Sequence, residues 1–192
     1  MKTGMQRERL LEAGLKLIHE RGYASVGVRE IAKAAGVPEG SFTNHFRSKE
    51  VFGRLVLDRY FSELETVMSE TLERADLNPR ERLEAYVDRI GGELAAGGWR
   101  KGCLVVDLCA EVPPRSEVFR QRLCEVVARQ SAGFAAALRT AASDAPDRPD
   151  VETIEDRAGF LLAAWQGSLL RMKAEQDPDA IARFKKMLPR FL

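Results

Sequence analysis

The feature that most constrains this chain is a pair of short helical segments that meet at Gly36. Val28, Ile31 and Ala32 recur at helical spacing and predict a first helix over residues 28–35. Glycine takes a positive φ at little cost, so Gly36 predicts the end of that helix. Two short helices joined by a tight turn that contains glycine are the pattern of a helix-turn-helix.

The second segment is expected to begin with Pro38 in its first turn, where a missing amide hydrogen costs nothing. It carries Phe42 and Phe46 four residues apart, so both rings lie on one face and are predicted to be core. The residues left to face outward are small or hydrogen-bonding: Gly40, Ser41, Thr43, Asn44 and His45. Such a face can approach phosphates and base edges closely, which predicts a recognition helix in the major groove of double-stranded DNA.

Helical spacing continues along nearly the whole chain, and no long segment alternates with period two. We therefore predict an all-α fold of about nine helices. A three-helix helix-turn-helix DNA-binding domain is expected over residues 1–50, and a larger helical bundle for effector sensing and dimerisation over 51–192. The other expected helices cover about 5–21, a long segment capped by Ser48, a segment from Pro79, and 115–143, 151–173 and about 178–190.

The apolar run over residues 103–112 cannot be assigned by periodicity alone, because Val105 and Val106 also suit a strand. No partner strand is evident, so we favour a short buried helix ended by Pro113 and Pro114. The glycine-rich segment before this run is expected to be a turn. A loop is expected at residues 143–149.

Composition excludes several classes of protein. With 45% hydrophobic and 31% charged residues, the 192-residue chain is typical of a globular protein rather than a disordered tail. No apolar run approaches the roughly 20 residues that span a bilayer, and the first residues do not form a secretion signal. Three cysteines without a CxxC motif favour the reducing cytoplasm over a disulfide framework or a metal site.

The charge distribution is only mildly informative. The net charge is +1, with +3 over residues 1–50 and −2 over the rest, which favours the N-terminus as the place for any phosphate contacts. Two histidines, both in the N-terminal part, are far in sequence from the cysteines. No catalytic triad, phosphate loop or cofactor motif is evident, so we expect neither an enzyme nor a cofactor.

Residues 5–56 resemble the DNA-binding domain of TetR-family repressors, through the dense pattern from Gly36-Val-Pro-x-Gly-Ser-Phe to His-Phe-x-Ser-Lys-Glu50. The resemblance implies phosphate contacts by His45 and Lys49, groove-facing positions for Ser41, Thr43 and Asn44, and a DNA contact by Arg29 near the start of the second helix. Most relatives carry tyrosine where this chain has Thr43, and a hydroxyl residue where it has Gly27. Contacts made by those side chains are therefore not expected here.

Residues 97–112 and 165–173 resemble the NemR-like and AcuR-like subgroup of this family, which responds to reactive or small carboxylic compounds. The resemblance implies that Cys103 is a sensing residue and that Lys173 can lie close to it. Thiolate is the reactive form of cysteine, and the preceding Arg100 and Lys101 favour it. Alkylation or oxidation would then shift the protein away from its DNA-binding state. Buried cysteine is also a common small core residue, and this interpretation stays open.

A reversible ligand would instead bind between the helices of the bundle. The candidate residues for such a site are Tyr86, Trp99, Asp107, Phe119 and Trp165. Asp107 lies in an apolar run, and if buried it needs a partner such as Arg89, Arg120 or Lys173. Aromatic residues at helical spacing are also common in a plain core.

A single recognition helix reads few base pairs, so specific binding to a palindromic operator calls for a homodimer. The predicted interface uses the apolar faces of the last two helices: Ile154, Leu161, Trp165, Leu169, Ile181, Phe184 and Leu188. The predicted function is a transcriptional repressor that a small molecule, electrophile or oxidant releases from its operator. An architectural DNA-binding protein without a sensor is the alternative.

Overall fold

The computed structural model describes residues 2–112, 116–143 and 151–192, which form nine α-helices and one short 3-10 helix and contain no β-strand. This confirms the predicted all-α fold. The elements are α1 (Lys2–Arg21), α2 (Val28–Ala34), α3 (Ser41–His45), α4 (Lys49–Glu70), α5 (Pro79–Ala96), α6 (Leu104–Glu111), α7 (Glu117–Ser143), α8 (Val151–Glu175), α9 (Asp179–Met187) and the 3-10 helix η1 (Leu188–Arg190).

The starts of α5 and α4 follow from local chemistry. Asn78 caps α5 in a capping box, in which its side chain accepts the Glu81 N–H and the Glu81 carboxylate accepts the Asn78 N–H. Ser48 likewise caps α4 by accepting the Val51 N–H at 3.1 Å, as predicted. The apolar run is a helix, α6, which confirms the choice of helix over strand. Pro113, Pro114 and most of the loop expected at 143–149 lie outside the described residues.

Two expectations about helix positions are wrong in detail. Pro38 does not lie in the first turn of α3, because α3 begins only at Ser41. The carbonyl of Pro38 instead accepts the Ser41 N–H at 2.9 Å in a turn that precedes the helix. The final helix is shorter than expected, since α9 ends at Met187 and continues as the 3-10 turn that contains Pro189.

The chain packs as two compact units. The first contains residues 1–62 and 104–124, and the second contains 63–103 and 125–192. In the first unit, α6 and the start of α7 are therefore grouped with the N-terminal helices. The division into functional domains near residue 50 remains a prediction about function.

The second unit has a continuous apolar core of residues from α5, α7, α8 and α9. Its largest fully buried side chains include Tyr86, Phe134 and Trp165. The residues predicted to form the dimer interface belong to this core: Ile154, Leu161, Trp165, Leu169, Ile181, Phe184 and Leu188 are each at most 7% exposed. The prediction that these side chains face a second copy is therefore wrong, because they fill the interior of the protomer. In the described part of the chain, no helix is both long enough and apolar enough to cross a membrane.

Candidate nucleic-acid interface and effector cluster

The turn between α2 and α3 is held by a Schellman motif, in which backbone N–H groups cap the end of α2. Gly36 has φ +61°, as its place in the sequence predicted. Its N–H donates to the Lys33 carbonyl, and the next N–H, of Val37, donates to Ala32, both at 3.1 Å. Arg9 of α1 also donates to the Gly36 carbonyl, at 3.3 Å. The direction in which the chain leaves α2 is thus set by backbone bonds.

Behind α3, three phenylalanine rings form a closed cluster. The ring centroids are 5.2 Å apart for Phe42 and Phe46, 5.0 Å for Phe42 and Phe52, and 4.8 Å for Phe46 and Phe52. All three side chains are at most 2% exposed, which confirms that Phe42 and Phe46 are core. Because Phe52 belongs to α4, this cluster anchors the five-residue α3 from behind and fixes its outer face.

The outer face of α3 is small and polar, with one exception to the prediction. Gly40, Thr43 and Asn44 are exposed, and His45 is half-buried. A side chain at Gly40 would meet nothing within 4 Å, so a second molecule can approach closely there. Ser41, however, is only 8% exposed, and the expectation that it faces outward is wrong. It lies one turn before His45 on the flank of the phenylalanine stripe, so the inward face is wider than the two rings alone.

The two basic residues predicted to contact DNA already have partners in the protein. The Arg29 side chain is 85% exposed and lies 3.6 Å from the Glu39 carboxylate. The Lys49 ammonium is part-buried, donates to the Tyr23 carbonyl at 2.6 Å and lies 4.5 Å from the centroid of the Tyr23 ring. Burial, together with the negative charge of Glu50, raises the pKa of the Tyr23 phenol. Lys49 therefore holds the start of α4 against the loop that follows α1.

The loop between α1 and α2 is held by contacts that the sequence analysis did not predict. Glu111, the last residue of α6, accepts the Ala24 N–H at 2.8 Å. The start of α7 adds an edge-to-face contact between the Phe119 and Tyr23 rings, 5.6 Å apart. Arg122 also pairs with Asp58 of α4 at 2.6 Å. In the first unit, the segment after Cys103 therefore contacts the loop that leads into the helix-turn-helix and the helix that follows it.

In the second unit, Tyr86 lies at the centre of a cluster drawn from α5, α7, α8 and the residue before α6, which we name the Tyr86 cluster. It consists of Tyr86, Cys103, Gln130, Phe134 and Trp165, and each of these residues is at most 8% exposed. The Tyr86 ring lies 5.5 Å from Phe134 and 6.0 Å from Trp165 in edge-to-face arrangements. Its hydroxyl hydrogen bonds with Gln130 and Trp165, and Cys103 lies near enough to interact with it electrostatically. Burial, with a smaller contribution from Cys103, raises the pKa of Tyr86, so its hydroxyl stays protonated and neutral.

The structure thus brings together Tyr86, Cys103 and Trp165 from the predicted effector residues. Cys103 is buried, Cys109 is half-buried and Cys124 is exposed, and none of these three forms a disulfide bond in the described part of the chain. Lys173 is half-buried on α8 of the same unit. Trp99 is half-buried in the turn after α5, where it takes φ +61° and donates its N–H to the Leu94 carbonyl at 3.0 Å. The glycine-rich turn was therefore predicted correctly.

The remaining two predicted effector residues, Asp107 and Phe119, belong to the first unit. Asp107 is half-buried, so the expectation that it is a fully buried acid is wrong. Two of its suggested partners pair elsewhere, Arg89 with Glu93 at 3.2 Å and Arg120 with Glu117 at 2.6 Å. Phe119 is fully buried and packs against Tyr23.

The sequence analysis also missed Gln130, a polar residue that is only 2% exposed. Its spacing of four residues from Phe134 on α7 is the one signal that could have placed it on an inward face. Among the described residues, no group of three or more His, Cys, Asp or Glu side chains could hold a metal ion.

Two family models match the chain and together cover most of its length. Residues 10–52 match the model of bacterial regulatory proteins of the tetR family. Residues 79–188 match the model of the tetracyclin repressor-like C-terminal domain. The first match contains the complete helix-turn-helix, and the second contains the Tyr86 cluster.

Relatives and solved structures agree over nearly the full length. The chain is 37% identical to the HTH-type transcriptional repressor DhaR of Mycobacterium sp. (strain GP1), over 93% of this chain and 87% of DhaR. It is 32% identical to the transcriptional regulator AcuR of Cereibacter sphaeroides, over 98% of this chain and 85% of AcuR. The crystal structure of reduced E. coli NemR superimposes with a TM-score of 0.82 at 29% identity, covering 97% of each chain. The chain is therefore a member of the TetR family of bacterial transcriptional regulators.

Proposed function

We propose that this protein is a repressor that binds a palindromic operator as a homodimer and is released by an effector acting on the second unit. The observation that carries the proposal is the anchored α3. Its back is held by the rings of Phe42, Phe46 and Phe52, and its exposed face carries only short polar residues. A short helix whose inward face is held by packed rings and whose outward face carries short side chains can enter the major groove.

Within this proposal, Thr43 and Asn44 face the base edges and Gly40 permits close approach of the backbone. The Thr43 hydroxyl donates to the Gly40 carbonyl at 3.0 Å, so its oxygen remains available as an acceptor. Ser41 is left out of the proposed contacts, because its side chain is buried and its backbone N–H donates to the Pro38 carbonyl.

His45 and Arg29 are proposed to contact phosphates, as cations or hydrogen-bond donors at the two ends of the motif. Arg29 would exchange its exposed pairing with Glu39 for a phosphate, at little cost because exposed ion pairs are weak. Lys49 contributes positive charge at the start of α4, while its contact with Tyr23 orients that helix. These contacts would set affinity and register rather than sequence.

The homodimer is proposed to form through the outer faces of α8 and α9. These helices leave large apolar side chains exposed: Phe160 is 60% exposed, Leu170 is 49% and Met187 is 41%. Phe160 also stacks on Phe191, with ring centroids 5.6 Å apart. Exposed apolar residues clustered on two helices mark an interaction surface, and a second copy of the same face gives a symmetric four-helix interface.

Effector release is proposed to act through Cys103 or a ligand bound beside it, with Lys173 of α8 proposed as a source of positive charge. Cys103 directly precedes α6, whose last residue bonds to the loop before the helix-turn-helix. A covalent change or a bound ligand at Cys103 therefore acts at the start of the segment that supports the DNA-binding helices. The names of the relatives DhaR and NemR, both repressors, support this direction of control.

A gel shift tests the proposal. The purified protein is mixed with the DNA beside its own coding sequence and with a pool of random duplexes, at low and moderate ionic strength. We expect selection of one palindromic sequence and release when an electrophile, an oxidant or a small-molecule library is added. Binding that no compound alters would favour the architectural alternative. Absence of binding to any duplex at low ionic strength would refute the proposal as a whole.

A further inference from the structure

The Tyr86 cluster contains a polar atom without a protein partner. The Gln130 side chain is 2% exposed, and its Oε1 is a buried oxygen with no hydrogen-bond partner. Buried polar groups in proteins are nearly always paired, because an unpaired one keeps the full cost of losing water. An unpartnered amide oxygen inside a core therefore calls for an explanation.

The nitrogen end of the Gln130 amide already has a hydrogen-bond partner. The amide hydrogen bonds with the Tyr86 hydroxyl, and because Oε1 has no partner, this bond is made by the Nε2–H group. The indole N–H of Trp165 is a donor only, and it also bonds to this hydroxyl. Gln130 is thus held in place by Tyr86 while its oxygen is left to another molecule.

The surroundings define what such a molecule must be. An amide oxygen only accepts hydrogen bonds, so its complement carries an O–H or N–H group. Tyr86 itself is a phenol kept neutral by burial, and the side chains of Gln130, Trp165 and Phe134 around it are an amide, an indole and a phenyl ring. A cluster of this kind stabilises a neutral molecule with an apolar body, whereas a charge would lose its hydration without compensation.

We propose that Gln130 is a specificity-determining residue of the effector site, and that the effector is a small uncharged molecule with a hydroxyl or amide N–H that donates to Gln130 Oε1 beside Cys103. This inference rests on the proposed effector role of the Tyr86 cluster. It goes further by naming the ligand class and the residue that selects it. The hydrogen bond supplied by the ligand completes the pairing of the amide, so binding relieves an existing cost.

The test uses three four-carbon probes on the full chain: n-butanol, which donates; butanone, which only accepts; and butyrate, which is charged. The rise in Tm with probe concentration gives an apparent Kd for each. We expect n-butanol to bind roughly threefold to tenfold more tightly than butanone, the ratio that one neutral hydrogen bond provides. Butyrate is expected to bind more weakly than n-butanol.

The variant Gln130→Met keeps the length of the side chain and removes the oxygen, and it should lose the preference for n-butanol. Gln121→Met is the matched control, since Gln121 is exposed on the same helix, and it should keep the preference. The comparison of these variants also separates binding from the general effect of an alcohol on Tm. If Gln130→Met does not fold, isothermal titration calorimetry of the three probes on the unaltered protein decides, because it measures binding without a thermal scan.

Three results would overturn the inference: no shift with any probe, butanone or butyrate binding as tightly as n-butanol, or an unchanged preference in Gln130→Met. The last result would indicate that the oxygen binds a structural water. The experiment contains no DNA, so a protein that fails to bind any operator would refute the proposed function and leave this measurement unaffected.

Discussion

The carboxylate of Glu111 accepts the backbone N–H of Ala24 at 2.8 Å, which ties the last residue of α6 to the loop between α1 and α2. Gly22 lies in the same loop with φ +84°, and a Cβ there would be 2.6 Å from Glu111 Oε1. The close approach of the carboxylate therefore depends on a residue without a side chain at that point. This bond links an element next to Cys103 to the loop that leads into the helix-turn-helix.

Glu111→Ala should lower the free energy of unfolding by about 1 kcal/mol, because it leaves the Ala24 N–H without its acceptor. Glu111→Gln keeps a side-chain carbonyl and should lose less. Urea unfolding measures both, with Glu12→Ala on the exposed side of α1 as the control. Equal stability of Glu111→Ala and the control would show that the bond contributes nothing to the fold.

If the proposed interface is correct, substitution of His45 or of Lys49 should weaken binding to all duplexes by a similar factor. His45→Ala and Lys49→Ala are each expected to reduce the magnitude of the slope of log affinity against log salt concentration by about 1, the contribution of one phosphate contact. Gel shifts over a salt series measure this, and Lys16→Ala, exposed on α1, should leave the slope unchanged. Lys49→Ala should also destabilise the protein, because the contact with Tyr23 is lost.

If the operator affinity and the salt slope of either variant are unaltered, the substituted residue does not belong to the DNA interface. Lys49→Met separates the two roles of the lysine. It keeps an apolar stem against the Tyr23 ring and removes the charge, so it should affect DNA binding more than stability.

Cys103→Ser should leave operator binding intact and abolish release by an electrophile such as N-ethylmaleimide. The physical reason is that a serine hydroxyl is a far weaker nucleophile than a thiolate. The control is Cys124→Ser, since Cys124 is the exposed thiol and should be modified without consequence for DNA. Release of Cys103→Ser at the normal rate would place sensing at another residue.

Phe160→Arg should weaken dimerisation by at least about tenfold, because it puts a charge into the centre of the proposed apolar interface. Sedimentation equilibrium measures the change, and operator affinity should fall with it. Val118→Arg is the control, because Val118 is 59% exposed but lies on α7 in the first unit. An unchanged dimer dissociation constant in Phe160→Arg would exclude this face as the dimer interface.

The sequence alone determined the helices, the turn at Gly36 and the inward rings of Phe42 and Phe46, because each depends on residues close together in the chain. The sequence also predicted the cap at Ser48, and it predicted the helix α6 because no partner strand was evident for that apolar run. The family followed from the same region, since the pattern from Gly36 to Glu50 is dense and contiguous. Periodicity shows which face of a helix is apolar and predicts the class of fold.

Only the tertiary structure decided what covers each face, because that depends on partners distant in sequence. Ser41 is buried on the flank of a stripe, and Asp107 is half-buried where an interior acid was expected. The apolar residues expected between two copies fill the protomer instead, and Phe160 and Leu170 are left outside. The bond between Glu111 and Ala24 joins residues 87 positions apart, a separation at which no local pattern indicates a contact.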